Sequence, residues 1–288
     1  MTNNDRSPRP TCRVQQSGGF LSFLYRTVPG RVLLKLLTAR WVSKTAGFVL
    51  DRGISRCAIP SFIKKNHIDL SLYLPETYKS YNACFTRRIR PECRPIDPDP
   101  DCLISPCDAK LSVYPVTQDS VFMIKGAPYA VADLIGDPNA AARFAGGTCL
   151  IFRLTVDDYH RYIYPFDGQQ TSSRFIPGVL HTVQPIALER YNFYKRNCRC
   201  CATIQTERFG TAVMTEVGAL MVGRIVNHKQ SGPVARGEEK GYFCFGGSTI
   251  VLLLQPGAAC LDAELTDNTA AGAETVVRCG ETIGRCSR

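Results

Sequence analysis

The strongest constraint on the fold is a series of short runs of β-branched and other apolar residues in the later part of the chain. The runs cover residues 111–114, 148–154, 178–183, 212–217, 224–226 and 248–254. Each is bounded by Gly, Pro or Asp, which end strands. Several strands at such close intervals are typical of a β-rich domain, and helix-like patterns precede them. The sequence therefore predicts an α+β fold with helices first and strands after.

Positive charge is concentrated at the start of the chain. Residues 1–65 carry 12 Lys and Arg but 2 acidic residues, whereas the remainder carries 23 of each sign. This asymmetry indicates a polyanionic partner for the N-terminal part. Apolar residues such as Phe20, Leu21 and Trp41 are interleaved with the basic ones, which favours an anionic membrane surface over nucleic acid. No apolar run approaches the roughly 18 residues that cross a bilayer, so we expect this segment to lie on the membrane.

A helical pattern within this basic segment supports the same interpretation. Arg31 and Lys35 lie one helical turn apart. In one straight helix Arg40 and Lys44 would fall on the apolar face, so either the helix breaks near Thr38 or these side chains extend toward lipid phosphates. A helix that only packs on the rest of the protein is the alternative.

Composition divides the chain into three parts. Residues 1–24 are polar and expected to be disordered, with a mitochondrial transit peptide as the alternative for this acid-poor opening. Residues 25–94 form a basic amphipathic helical region that ends in short helices over 59–90. Residues 95–288 contain the β-rich domain.

Three smaller expectations concern this last part. Residues 95–100 are rich in proline and indicate a linker. Residues 266–273 are rich in Ala, Thr and Gly and predict a loop. Residues 274–284 predict a last strand and turn.

Fourteen cysteines are many for a chain of this length. The chain is neither short nor opened by a secretory signal, so we expect free thiols instead of a disulfide framework. Cys198, Cys200 and Cys201 lie close together, but no second Cys or His pair follows at zinc-site spacing. We therefore expect no metal.

The segment Gly246-Gly247-Ser248-Thr249 comes just before the apolar run that begins at Ile250. Small residues before a strand can hold a serine hydroxyl against its own preceding carbonyl, which is the geometry of an internal acyl shift. The same four residues also occur as an ordinary tight turn, so the segment alone leaves both interpretations open.

Five further segments occur in the order found in one enzyme family. They are TRRIRPECRPI at 86–96, SPCD at 105–108, DDYHRY at 157–162, LHTVQP at 180–185 and VGALMVG at 217–223. Together with Gly-Gly-Ser-Thr, this series resembles the phosphatidylserine decarboxylase proenzymes, which are self-cleaving and pyruvoyl-dependent. The resemblance extends over residues 25–284. It completes the predicted fold class: α+β, an N-terminal helical membrane-associated region followed by a β-rich catalytic domain.

The resemblance implies that Ser248 attacks the carbonyl carbon of Gly247 and that the chain is cut between these two residues. Residue 248 would then become a covalent pyruvoyl group (the pyruvate cofactor) at the start of fragment 248–288. Decarboxylation leaves a carbanion that side chains cannot delocalise, so an electron sink is needed. The pyruvoyl group would provide it through a Schiff base to the substrate.

Three polar residues receive roles from the resemblance. Asp108 is expected to support cleavage, because an unactivated serine is a poor nucleophile. His160 is expected to handle protons during decarboxylation. In well-known members a second histidine follows three positions later, where this chain has Ile163. We assign the cleavage role to His181, while His160 serving both steps is the alternative.

Other departures and histidines carry less weight. Ala109 stands where the family usually has glycine, which alters backbone freedom but removes no functional group. His67 and His228 match nothing catalytic, and we interpret both as surface or packing residues.

The predicted function is decarboxylation of phosphatidylserine to phosphatidylethanolamine at the cytoplasmic-side surface of a membrane. The expected partners are the lipid, the anionic surface and the two cleavage fragments, which stay associated. A homodimer is also considered, and no nucleic-acid partner is expected. One alternative is a related pyruvoyl-dependent decarboxylase with another amino-acid-derived substrate. A non-catalytic peripheral membrane protein is the other, and Ile163 is the feature that favours it.

Overall fold

A large antiparallel sheet dominates the protein, and most helices precede it in the chain. The computed structural model describes residues 7–13, 19–37, 40–124, 127–178, 197–218, 224–245 and 248–287. The α-helices of these residues are α1 (Gly19–Arg26), α2 (Val28–Leu37), α3 (Arg40–Leu50), α4 (Ile59–Lys65), α5 (Tyr81–Phe85), α6 (Val131–Ile135), α7 (Pro138–Ala141) and α8 (Ala263–Ala270). Short 3-10 helices are Gly53–Ala58, Leu70–Leu72, Pro91–Cys93 and Ala142–Phe144. No helix in the described ranges has the length and apolar character needed to cross a membrane.

The strands form four sheets. They are β1 (Thr11–Arg13), β2 (Cys102–Ile104), β3 (Ala109–Pro115), β4 (Val121–Ile124), β5 (Ala127–Ala130), β6 (Thr148–Leu154), β7 (Arg161–Ile163), β8 (Gly168–Ile176), β9 (Arg199–Gln205), β10 (Thr211–Val217), β11 (Ile225–Asn227), β12 (Gly232–Val234), β13 (Glu239–Phe243), β14 (Ser248–Leu254), β15 (Ala259–Leu261), β16 (Ala273–Val277) and β17 (Thr282–Cys286). The nine-stranded sheet has the order β1-β16-β3-β6-β14-β10-β9-β8-β12. The smaller sheets are β11-β13-β7, β15-β17-β2 and β4-β5. A mixed fold in which sheets dominate is confirmed, while membrane association of the helical region stays a prediction.

The central strands β6, β14 and β10 hold the core of the large sheet. Every residue of β14 is buried, and so are all but the first residues of β6 and β10. A strand buried on both faces needs a continuous apolar run. This is why the predicted runs at 148–154 and 248–254 coincide with β6 and β14.

The other predicted runs have mixed outcomes. Those at 111–114 and 212–217 lie within β3 and β10, and the run at 224–226 overlaps β11. Gly178 is in no strand, and the rest of its run lies outside the described residues. The helix break that one alternative predicted near Thr38 falls on residues 38–39, which lie outside the described residues, so it stays a prediction.

The N-terminal stretch is better anchored than predicted. Disorder was expected over residues 1–24, but β1 pairs with β16 at the edge of the large sheet. Arg9 donates to a carboxylate oxygen of Asp262 at 2.7 Å and also pairs with Glu264 and Glu281. Three acidic partners around one guanidinium fix this segment against the C-terminal part of the chain.

The C-terminal part differs from the sequence prediction at one helix. The loop expected at 266–273 is mostly helix α8. Leu265 is the one buried residue of this described helix, so the apolar periodicity that identifies a helix in a sequence is weak here. The predicted last strand and turn correspond to β16, a turn and β17.

The candidate catalytic residues lie near one end of three neighbouring strands of the large sheet. Strand β3 begins immediately after Asp108, β6 ends at Leu154 before the turn that leads to His160, and β14 begins at Ser248. The pairs Lys110↔Arg153 and Ser248↔Leu154 show that these three strand ends lie side by side.

Candidate active site

Ser248 occupies the first position of the central strand β14. This serine is fully buried, and its Oγ atom makes no hydrogen bond to the residues that the structure describes. An unpaired buried hydroxyl costs about 1–3 kcal/mol. Gly247 on its N-terminal side, which the sequence predicts as the other half of the cleavage site, lies outside the described residues.

Asp108 is held firmly at the start of β3. Arg94 donates from Nε to Oδ1 at 2.9 Å and from Nη2 to Oδ2 at 2.5 Å. The backbone N–H of Cys279 donates to Oδ1 at 2.8 Å. Burial opposes the charge of Arg94, but the hydrogen bond and charge of Asp108 raise the pKa of Arg94. The carboxylate is thus oriented by three fixed donors.

Asp108 and Ser248 lie at the same end of the sheet's strands, but their strands are not adjacent. Strand β6 lies between β3 and β14, and adjacent strands are about 4.8 Å apart, so the two strand ends are separated by roughly 10 Å. Within the described ranges, no hydrogen bond joins the carboxylate of Asp108 to Ser248 or to His160.

His160 lies in the turn between β6 and β7 and is fully buried. Its Nδ1 atom is 2.9 Å from the carbonyl oxygen of Asp158. A carbonyl accepts only, so Nδ1 carries the proton and Nε2 is the basic nitrogen of the neutral ring. The ring contacts that of Phe85 in a tilted arrangement, with centroids 4.1 Å apart and an interplanar angle of 40°.

The turn that carries His160 is braced by Lys110. The Lys110 ammonium donates to both carboxylate oxygens of Asp158 at 2.7 Å and to Thr155 Oγ1 at 2.6 Å. Thr155 also donates its backbone N–H to Asp158 at 2.6 Å. Burial raises the pKa of Asp158, although Lys110 acts in the opposite direction. No sequence motif drew attention to Lys110, because its role depends on a partner 48 positions away.

Helix α5 connects the histidine to the segment before Ser248. Asn82 accepts a hydrogen bond from the backbone N–H of Phe245 at 3.1 Å. The Phe245 ring packs on Tyr81 and Phe85, with centroids 5.0 and 5.6 Å apart. The backbone N–H of Phe243 also donates to the carbonyl of His160 at 3.0 Å. These contacts fix the chain next to the histidine as far as Phe245.

A buried ionic network lies on the face of β10 and β14 that carries Ser248. Lys240 and Glu216 are fully buried, with Nζ 2.8 Å from Oε1. Asn227 donates to Glu216 at 3.0 Å and accepts from Lys240 at 3.1 Å. Glu216 is paired with Ile250, two residues after Ser248, so its side chain and that of Ser248 point to the same face. Sequence patterns did not reveal this pair.

The other three histidines are not placed at this site by the described residues. His181 lies outside the described residues, so its assignment to cleavage stays a prediction. His67 is exposed, and His228 is partly exposed with Nε2 2.7 Å from a carboxylate oxygen of Glu239. Ile163, which replaces the second motif histidine, lies in β7 next to β13.

Metal-binding groups and cavities were the other features by which a site could be recognised in the described residues, and neither occurs beside Ser248 there. In the described part of the chain, no group of three His, Cys, Asp or Glu side chains is placed to hold a metal ion. Two surface cavities of about 670 and 570 Å³ lie at the opposite ends of the strands. One is beside Gln205 and Phe209, and the other is beside Pro115 and Thr148.

Comparison with known proteins gives consistent matches. The family model for phosphatidylserine decarboxylase matches residues 81–285. Phosphatidylserine decarboxylase proenzyme 2 of Clostridium acetobutylicum is 43% identical over 271 residues, covering 94% of this chain and 93% of the relative. The phosphatidylserine decarboxylase proenzyme of Clostridium perfringens is 37% identical over 279 residues, covering 94% and 95%. That of Chlamydia caviae is 35% identical over 274 residues, covering 93% and 92%.

Proposed function

Because the chain belongs to the phosphatidylserine decarboxylase family, we propose that it removes carbon dioxide from the serine headgroup of phosphatidylserine and releases phosphatidylethanolamine. It is an enzyme of the carboxy-lyase class. The proposal includes maturation of a proenzyme by cleavage between Gly247 and Ser248, with residue 248 becoming the pyruvoyl cofactor.

The buried Oγ of Ser248 is the observation that carries the maturation step. This hydroxyl makes no hydrogen bond to the described residues, so none of them occupies the oxygen that would act as the nucleophile. Placed at a strand start beside its own preceding peptide bond, it is in the right covalent position to attack that carbonyl carbon intramolecularly. The residues present therefore fit a cofactor that is made from residue 248 itself.

Once formed, the pyruvoyl group supplies the electron sink that the carbanion of decarboxylation requires. His160 is the proposed proton carrier. The Asp158 carbonyl holds its tautomer, so Nε2 is the atom that takes up and returns a proton. Burial of the ring and its contact with Phe85 keep water from competing for that nitrogen.

Asp108 is proposed to support cleavage together with a histidine. Strand β3, which Asp108 immediately precedes, is two strand spacings from β14, or roughly 10 Å between their backbones. An imidazole between Asp108 and Ser248 would bridge that distance. We propose His181 for this position, and His160 acting in both steps is the alternative that the experiments below separate.

The sheet order supports the proposal that the two fragments stay associated. Fragment 248–288 would contribute β14, which pairs with β6 on one side and β10 on the other. The same fragment carries Asp262, Glu264 and Glu281, the acidic partners of Arg9 in the other fragment. Pairing on both edges of a buried strand leaves no exposed path for its release.

Exposed apolar side chains support a peripheral membrane location. Helices α1 to α3 and the 3-10 helix that follows them expose apolar side chains, with exposed fractions from 41% to 77%: Phe23, Val28, Val32, Phe48 and Ile54. Apolar side chains beside an excess of basic residues suit the headgroup layer of an anionic membrane.

The intact mass of the purified protein tests the central proposal. We expect two chains, the smaller one beginning at residue 248 with a carbonyl-reactive terminus. Lipid and soluble amino-acid substrates should then be compared, because turnover of only the soluble ones would favour the related decarboxylase instead. A single chain of full length with no carbonyl group would contradict the maturation proposal.

A further inference from the structure

Arg87 is a buried cation that has no acidic partner among the described residues. It is 1% exposed and follows helix α5 by two residues. No carboxylate of the described residues lies within ion-pair distance of its guanidinium. A buried charge is costly unless hydrogen bonds compensate it. The position of Arg87 therefore needs an explanation beyond charge balance.

The hydrogen bonds of Arg87 go to oxygen atoms in three different segments. Nη1 lies 3.4 Å from the Cys84 carbonyl, at the end of α5. Nη2 donates to Tyr73 Oη at 3.1 Å and to the carbonyl oxygen of Asp157 at 3.2 Å. The guanidinium also lies over the Tyr73 ring, 4.4 Å from its centroid. One planar group thus joins α5, the segment at Tyr73 and the turn after β6.

Two of these segments enclose the imidazole of His160. Helix α5 provides Phe85, whose tilted ring contacts the imidazole with centroids 4.1 Å apart. The turn that contains Asp157 provides the Asp158 carbonyl, which fixes the Nδ1 proton. Arg87 holds the two sides together. A forked donor can do this, whereas a single ammonium cannot reach several acceptors in one plane.

We propose that Arg87 is a positioning residue that fixes the location and tautomer of the His160 ring for proton transfer during decarboxylation. This inference rests on the role proposed above for His160. Arg87 itself need not touch the substrate. Its effect should fall on the chemical step, because a small displacement of a proton carrier slows the reaction without weakening ground-state binding.

The test compares Arg87→Lys and Arg87→Met in the full chain with Arg143→Met. Arg143 is exposed and makes no ion pair or hydrogen bond within the described ranges, so it is a matched control. Turnover is expressed per carbonyl-reactive terminus, which removes any effect on maturation. We expect kcat of Arg87→Met to fall roughly tenfold to a hundredfold with KM nearly unchanged. Arg87→Lys should keep more activity, and Arg143→Met should behave as the unmodified protein.

Nitrogen-15 NMR of the histidine side chains gives a readout that does not depend on activity. The His160 signals are assigned by their loss in His160→Gln. We expect the Nδ1–H tautomer in the unmodified protein and a mixture of tautomers in Arg87→Met. Tyr73→Phe removes one acceptor of Arg87 with little change of volume, and it should shift kcat in the same direction by a smaller factor even if Arg87→Met folds poorly.

Three outcomes separate a failure of this inference from a failure of the role proposed for His160. Full turnover in His160→Gln would overturn the role of His160 itself. A large loss in His160→Gln, together with normal kcat and a normal tautomer in Arg87→Lys and Tyr73→Phe, would overturn only the positioning role of Arg87. A loss of thermal stability in the Arg87 variants without any change in kcat would likewise show that the arginine serves the fold alone.

Discussion

Arg94 binds both carboxylate oxygens of Asp108, and the two side chains are 9% and 12% exposed. Removing one partner of such a pair leaves a buried charge without compensation, which costs more than the pair contributes. The orientation of Asp108, and with it the proposed support of cleavage, depends on this contact.

Arg94→Met should therefore lower the free energy of unfolding by about 3–5 kcal/mol. Urea denaturation in a Ser248→Ala background measures this without interference from maturation. Arg208→Met is the matched control, because it removes a more exposed ion pair with Asp101 and should cost less than about 1 kcal/mol. In the background with Ser248 intact, Arg94→Met should also slow cleavage. Equal losses of stability in the two variants would contradict a special role for Arg94.

Two adjacent buried hydroxyls allow the nucleophile to be tested with an internal control. Ser248 and Thr249 both bury an oxygen that has no hydrogen bond to the described residues. Ser248→Ala should abolish cleavage, since alanine has no group that can attack Gly247. Thr249→Val should cleave normally and should gain about 1 kcal/mol of stability from losing an unpaired hydroxyl. Gel analysis of fresh lysates would decide; cleavage in Ser248→Ala would reject the mechanism.

Separate substitutions should assign the two histidines. His181→Ala should accumulate the uncleaved chain, because it removes the proposed proton acceptor of maturation. His160→Ala should cleave, acquire the carbonyl group and then turn over lipid roughly a hundredfold to ten-thousandfold more slowly. Mass spectrometry and a carbon dioxide release assay measure the two steps. If His160→Ala blocks cleavage while His181→Ala matures, then His160 carries the maturation role.

Basic residues of the N-terminal helices should govern membrane binding. Reversing the charge of Arg31, Lys35, Arg40 and Lys44 should weaken binding to vesicles rich in anionic lipid, with about 1 kcal/mol lost per residue. Cleavage should survive, because it is an intramolecular reaction elsewhere in the chain. Arg143→Glu is the control, since it lies outside this region. Vesicle sedimentation at two salt concentrations measures the effect, and binding that ignores both charge and salt would count against the proposal.

The parts of the fold that sequence predicts best are those where burial is symmetrical. Strands β6 and β14 are covered on both faces, and their apolar runs end where the strands end. Helix α8 was missed because a helix with Leu265 as its buried residue shows almost no apolar period. Strand β1 was missed because three residues gain their structure from β16, far away in the chain.

The candidate site shows a similar division. Family motifs identified its candidate residues, because each motif is a short run of residues that can be read directly from the sequence. The contacts around them did not follow: Arg94 with Asp108, Lys110 with Asp158, and Glu216 with Lys240 are pairings that only the folded chain creates. Residue patterns indicate which charges exist but not which of them are buried together.

The place of β14 in the sheet has a consequence for the life of the molecule. Before cleavage, this strand enters the sheet as part of one chain, and its insertion between β6 and β10 is a first-order process. After cleavage the covalent tether before residue 248 is gone. Reassembly of a denatured mature protein would then be a second-order encounter of two chains, with the entropy of a lost connection to overcome. Maturation would thus make folding effectively irreversible, because the molecule folds once as an uncleaved zymogen. The lifetime of the active form would then depend on how slowly it unfolds, and not on its ability to refold.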